Sequence, residues 1–245
     1  MQRSRRVWAP SQPAKMAPIM VRIFGAERQH GDISMATVPD WQPVYDYWFP
    51  AGLDVSAAKH RDMILWWFGG GANAGLAPFA PLVEAALARC LDAWRTGARS
   101  RLALILLLDQ FTRGLYAGTR EAYAGDPLAR AIAEEGIGNG HYDRLAHPWE
   151  KTFFFIPLGH AEGADHAARL ARVVAMAERI AREAPEALRP LYEHSIRQAR
   201  DNLALIRRFG RFPHRNPVLG RTSSVEEQAY IDKGDFIHHR APPKV

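Results

Sequence analysis

The chain has 245 residues, 47% of them apolar, a net charge of +6 and one cysteine, Cys90. Length and apolar fraction exclude a disordered chain and allow one large domain or two small ones with a proper core. A lone thiol excludes an internal disulfide and a cysteine-based zinc site, and no apolar run approaches the roughly 20 residues that span a bilayer, so the composition suits the cytosol.

Residues 1–40 hold six of the Lys/Arg residues against Glu27, Asp32 and Asp40, so half of the net charge of +6 lies there. The body is only weakly basic, which speaks against nucleic acid as the main partner. The 1–40 stretch also carries Pro10, Pro13, Pro18 and Pro39 with little periodicity. Arg5-Arg6 lacks the apolar segment that an export signal needs. The expectation is a disordered basic extension, or a start misassigned ahead of Met16, Met20 or Met35.

From Trp41 the pattern is helical. Val44 to Phe49 reads as a short aromatic helix stopped by Pro50. Ser56 caps a helix to Phe68 that ends at Gly69-Gly70-Gly71. Pro78 to Trp94 repeats apolar residues at spacings of three and four, up to Thr96-Gly97. Arg101 to Tyr116 is apolar on every side from Leu102 to Leu108, which predicts a helix buried all round at the centre of the domain. Its end carries Asp109, Gln110 and Arg113. Asp126-Pro127 reads as an N-cap and first residue of a helix to about Gly136.

Trp149 to Ile156 is a very apolar helix that Pro157 should kink or end, leaving His160 and Glu162 past a break. Asp165 to Glu183 and Pro185 to Phe209 are long amphipathic helices. A Gly-, Pro- and Arg-rich loop covers 209–221. Ser223-Ser224-Val225-Glu226 reads as a capping box for a last helix to Ile231, and 233–245 as a flexible tail. No stretch alternates long enough for a strand, so the fold class is all-α, about eight or nine helices in antiparallel hairpins over 41–232.

Asp109 and Arg113 share a helix face, acid first, the favourable order. The pair is either a structural ion pair or the polar floor of a pocket. Arg211, His214 and Arg215 crowd one loop, and arginine forks suit carboxylate or phosphate. A charge at the end of a buried rod needs a partner, and Arg215 or Arg211 is the expected one for Asp109. His160, Glu162, Asp165 and His166 invite a metal reading, but without an HExxH string solvated helix-start residues are the simpler account. No nucleophile elbow, phosphate loop or dinucleotide fingerprint is present. Trp66, Trp67 and Phe68 read as core rather than a stacking platform. No metal or cofactor is expected.

LALILLLDQFTRGLYAGT (102–119), AGDPLARA (124–131), FFFIPLGHAE (153–162) and FGRFPHRNPVLGR (209–221) resemble, in order, the marker segments of a widespread, mainly bacterial family still labelled a domain of unknown function. The resemblance implies a tetratricopeptide-like helical fold and brings no established activity. Thr112, Gly114, Gly159 and Ala161 depart from the usual proline, asparagine, glutamate and serine. Asn202 and Ala204 stand where His and Asp are common. The recognisable strings are polar, which suggests one concave site.

The candidate site is therefore Asp109, Gln110, Arg113, His160, Glu162, Arg211, His214, Arg215 and Asn216. The leading expectation is a binding module for a small anionic ligand or an acidic protein segment. The alternative is an enzyme with His214 or His160 as general acid/base beside Asp109. RNA contact through the basic surface is a weaker third.

Overall fold

The computed structural model describes residues 38–53 and 56–244, and every regular element among them is helical. The expected N-terminal extension lies almost wholly outside the described residues. Among those described, no helix is long and apolar enough to cross a membrane.

Helix α1 is Gln42–Trp48. Helix α2, Ala57–Phe68, starts where the Ser56 side chain accepts from the Lys59 N–H at 3.2 Å. The expected helix from Pro78 to Trp94 is interrupted. It runs as α3, Ala80–Leu87, and closes when the Cys90 N–H reaches the Ala85 carbonyl at 2.8 Å and the Arg89 N–H reaches Ala86 at 3.0 Å. This closure puts Arg89 in the left-handed region, φ 63°. A 3₁₀ turn, Asp92–Thr96, then returns Trp94 to the core, which is why the apolar spacing outlasts the helix.

The predicted central rod, α4, is buried without interruption from Ser100 to Thr112. It starts as Ala98–Leu106, passes through a π-helical turn, Leu107–Phe111, and finishes as Thr112–Leu115. Aromatic rings of α1 and its neighbours close over its end: Trp48 lies 5.4 Å and Phe79 5.2 Å from Phe111, centroid to centroid.

Helices α5 (Asp126–Gly138), α6 (Pro148–His160), α7 (His166–Glu183) and α8 (Arg189–Phe209) follow, each packed on the next. The expected break at Pro157 does not occur: α6 runs through it, so His160 sits on its last turn. The open carbonyls at that end are taken by α7. Arg169 donates to Leu158 and, at 2.6 Å, to Ala161, while His166 Nε2 donates to Gly159 at 2.8 Å. Cationic and imidazole donors suit a helix C-terminus, and here they cap it from the next helix.

Gly210, φ 72°, ends α8 and starts the 209–221 loop. The last helix, α9, is Val225–Lys233. Its capping box is one residue later than the sequence reading. Ser224 Oγ accepts from the Glu227 N–H at 3.2 Å, and Glu227 Oε2 accepts from the Ser224 N–H at 2.8 Å. The segment after α9 returns along α8, with Ile237 buried and its carbonyl accepting from Gln198 Nε2 at 3.2 Å.

One close approach sets α5 against α4. A Cβ at Gly125 would lie 2.0 Å from the Leu108 carbonyl oxygen in the π-turn. Gly125 has an ordinary φ of −81°, so what it supplies is space rather than conformational freedom. Gly125→Ala should therefore force the two helices apart at a cost of about 1–3 kcal/mol, lowering the melting temperature by roughly 2–12 °C in a calorimetric scan. An unchanged melting temperature would show that the contact is not limiting.

Candidate functional site

The central rod's charged end lies where α4, the start of α5, the end of α6 and the 209–221 loop meet. The Asp109 carboxylate is fully buried. It accepts from Arg113 Nη1 at 3.0 Å, from His160 Nδ1 at 2.8 Å (Oδ1) and 3.1 Å (Oδ2), and from the Gln110 amide. Burial alone would push this carboxyl up, but Arg113, His160 and Gln110 more than offset it and hold it below the usual carboxylate range. In a regular α-helix Gln110 would point about 100° away from Asp109. Here both sit in the π-turn, and the Gln110 amide reaches its neighbour.

Arg113 bridges two carboxylates. Its Nη2 donates to Asp126 Oδ1 at 2.7 Å, and the other oxygen, Oδ2, accepts from Arg215 Nη1 at 3.0 Å. Asp126 is the first residue of α5 rather than its cap, because Gly125 takes the cap position. A negative charge suits a helix N-terminus. The loop arginine therefore does reach the central helix, but through Asp126. The direct pairing of Asp109 with Arg215 or Arg211 is not what forms, since Asp126 stands between them.

The remaining candidates divide. Glu162 accepts from the Phe212 N–H at 2.7 Å and from Arg221, which together with Arg215 outweigh its burial and keep its carboxyl below the usual range. Arg211 is held by Glu227 at 2.7 and 2.8 Å and by the Thr222 carbonyl at 2.9 Å. The Asn216 amide donates to Ser223 Oγ at 3.0 Å. His214 faces Phe212, Phe236 and His238 at 5.4, 5.5 and 5.0 Å, not Asp109. Arg211 and Asn216 fasten the loop to α9. Asp126, Tyr123 and Arg221 belong to the cluster but were absent from the sequence-based set.

Beside the cluster lies a cavity of about 400 Å³, lined by Tyr123, Asp126, Glu162, Arg215, Arg120 and Leu219 among others. Arg215 is 5% exposed, and its guanidinium stands over the Tyr123 ring at 4.4 Å and the Phe212 ring at 4.6 Å. Burial and the Arg113 charge push it below the usual arginine range, against the pull of Asp126 and Glu162. Its Nε is buried without a partner. Among the described residues, no group of three or more His, Cys, Asp or Glu is placed to hold a metal ion. Two glycines next to cluster residues leave little room for a side chain. A Cβ at Gly114 would meet Leu76 Cδ1 at 2.3 Å and Asn73 Oδ1 at 2.6 Å, and one at Gly159 would meet Leu170 at 3.1 Å.

Removing the bridge should be costly. Asp126→Asn leaves the buried Arg215 guanidinium without its paired carboxylate and Arg113 with Asp109 alone, and a loss of about 3–5 kcal/mol in chemical denaturation is expected. A loss under about 1 kcal/mol would mean the cluster is well hydrated.

Acid should also destabilise the fold. Burial keeps the imidazoles of His60, His166 and His214 below the ordinary 6.5, and His238 and Arg215 help bring His214 to about 3. The unfolded chain takes up these protons near pH 6.5 and the folded chain does not. Stability is therefore lost as pH falls from 6.5, by at most about 1.4 kcal/mol per pH unit for each imidazole. Asp109 adds its loss only below the ordinary 3.8. Denaturation between pH 7.5 and 5 should show the slope, and His214→Phe should make it shallower. A slope unchanged in that variant would place His214 in water.

A family model described as "Bacterial protein of unknown function (DUF924)" matches residues 44–235. No curated protein matches. A solved structure of a protein of unknown function from Agrobacterium tumefaciens is 34% identical, with a TM-score of 0.60 over 79% of this chain and 97% of that one. With the family model spanning most of its length, the chain belongs to the DUF924 family of bacterial proteins.

Proposed function

We propose that this protein is a binding module for a small carboxylate or phosphate, with Arg215 as the anchor in the 400 Å³ cavity. The observation that carries the reading is the half-used guanidinium. Nη1 is engaged by Asp126 at 3.0 Å, while Nε is buried without a partner. The Nε–Nη2 edge is the side-on fork that takes a carboxylate or phosphate by two parallel bonds. Tyr123 and Phe212 fix the plane of that fork. Arg221 neutralises Glu162 at the cavity wall, and Arg120 there stands against Glu121. Arg113, Arg211 and His214 are not available for the ligand, so the reading narrows to one arginine.

The alternative is catalytic. His160 Nδ1 lies 2.8 Å from the buried Asp109 carboxylate while the imidazole stays 30% exposed. A carboxylate that orients an imidazole is the arrangement that general acid/base catalysis uses. His214, the other proposed base, is held among aromatic rings away from Asp109.

Thermal shift with inorganic phosphate, citrate and succinate tests the first reading. At least one anion should raise the melting temperature saturably, and Arg215→Lys should abolish the shift while keeping a charge opposite Asp126. No shift with any anion, or a full shift in Arg215→Lys, sinks the proposal. His160→Gln should leave anion binding intact; loss of binding there would instead move the site to the Asp109–His160 pair.

A further inference from the structure

A second cavity, of about 480 Å³, lies away from the ion cluster between α2, α6, α8 and the segment after α9. Its chemistry is the reverse of the first. One wall is aromatic. Phe68, among the few exposed large apolar residues at 47%, lies parallel to Phe153, with centroids 5.5 Å apart and planes 12° apart. Trp67 meets Phe153 edge-on at 4.9 Å, with its indole N–H held by the Trp48 carbonyl at 2.9 Å. The reading of Trp67 as core holds, but Phe68 sits at the cavity instead.

The opposite wall is α8, and the half-buried positions it presents there are polar. His194, Ser195 and Gln198 line the cavity and, at spacings of one, three and four, share a stretch of one helix face. His194 Nε2 is buried without a partner, and the Gln198 amide N–H₂ is engaged by Ile237, which leaves its oxygen. Part of this polar row fastens the segment after α9, through Gln198 to the Ile237 and Arg240 carbonyls, while Ser195 Oγ donates back to Leu191; His194 Nε2 and the Gln198 oxygen are left over. These two suit a ligand whose edge carries a hydrogen-bonding group.

Charge decides the ligand class further. Arg240, the one arginine of the lining, is paired with Asp201 at 2.7 Å and with Asp235 at 3.2 Å. His60 is closed off, with Nδ1 donating to the Leu53 carbonyl at 3.3 Å and Nε2 accepting from the Tyr192 hydroxyl at 3.0 Å. No unmatched charge lines the space. The last residues complete the wall: Arg61 Nε donates to the Pro243 carbonyl at 2.8 Å and ties that segment to α2.

We propose that this cavity binds a flat, uncharged aromatic small molecule, its ring against Phe68 and Phe153 and its polar edge on His194, Ser195 and Gln198. The site is independent of the anion site, and one protein can hold both.

N-phenyl-1-naphthylamine and its sulfonated counterpart, 1-anilinonaphthalene-8-sulfonate, have the same rings and differ by one negative charge. The uncharged probe should bind the full-length protein saturably at one site, brightening and quenching Trp67 and Trp149 emission. The sulfonate should bind at least about tenfold more weakly, about 1.4 kcal/mol. Phe68→Ala, at an exposed side chain, should weaken the uncharged probe about tenfold, and Ser195→Trp should abolish its binding by filling the space. Arg215→Lys should bind it as the wild type does. Absence of saturable binding, equal affinity for the two probes, or wild-type binding in both Phe68→Ala and Ser195→Trp overturns the proposal.

Discussion

One carboxylate holds the polar end of this molecule together. The two oxygens of Asp126 each take a different arginine, Arg113 from the central helix and Arg215 from a loop 89 residues beyond Asp126 itself. Charges then alternate along a buried line, Asp109, Arg113, Asp126, Arg215. Each interior member needs both neighbours, because a buried charge left without compensation costs several kcal/mol. Such a line supplies less net stability than an apolar core of the same volume would. What it supplies is discrimination. Few other registers of α4, α5 and the loop match four charges at once, so the arrangement specifies which helix ends meet.

The π-turn and Gly125 make that meeting possible. Leu107–Phe111 adds a residue to the turn, which brings Asp109 and Gln110 close enough for one to bond the other. Thr112 Oγ1 steadies the widened turn by donating to the Leu108 carbonyl at 2.9 Å. That carbonyl then has the Gly125 backbone against it, and the next residue is Asp126. A proline at position 112 would lack both that hydroxyl and a backbone donor. This gives Thr112 a physical role in the turn.

Much of this was legible in the sequence, and the limit has a physical cause. Periodicity showed the helices, and a stretch apolar on every side identified the central rod. The Asp109–Arg113 pair followed from spacing alone. What failed needed a partner from elsewhere in the chain. Pro157 does not end α6: the helix runs on to His160, and His166 and Arg169 of the next helix take the carbonyls of its last turn. Asp126 looked like a cap because Asp-Pro usually is one, and only the approach of two arginines makes it a bridge. Arg211 and Arg215 were indistinguishable in the string. One lies against Glu227 and the other against Asp126, which is a matter of the loop's path. The aromatic cavity was invisible, since its polar stripe on α8 resembles any amphipathic helix until the neighbouring walls are in place.

The loop between α8 and α9 contributes Arg215 and Leu219 to the cavity beside the ion cluster, and its compactness explains why so short a string is so polar. Phe212 lies beneath the Arg215 guanidinium and beside His166, His214 turns the other way onto His238, and Arg221 returns to Glu162. His238 itself lines the aromatic cavity, whereas Arg215 lines the one beside the ion cluster. Adjacent residues of one 3₁₀ turn, Pro213–Arg215, thus point to different neighbours, His214 to the ring of His238 and Arg215 to the carboxylate of Asp126. Neighbours in sequence therefore belong to different surroundings, a guanidinium among carboxylates and an imidazole among rings, and each space keeps its own chemistry.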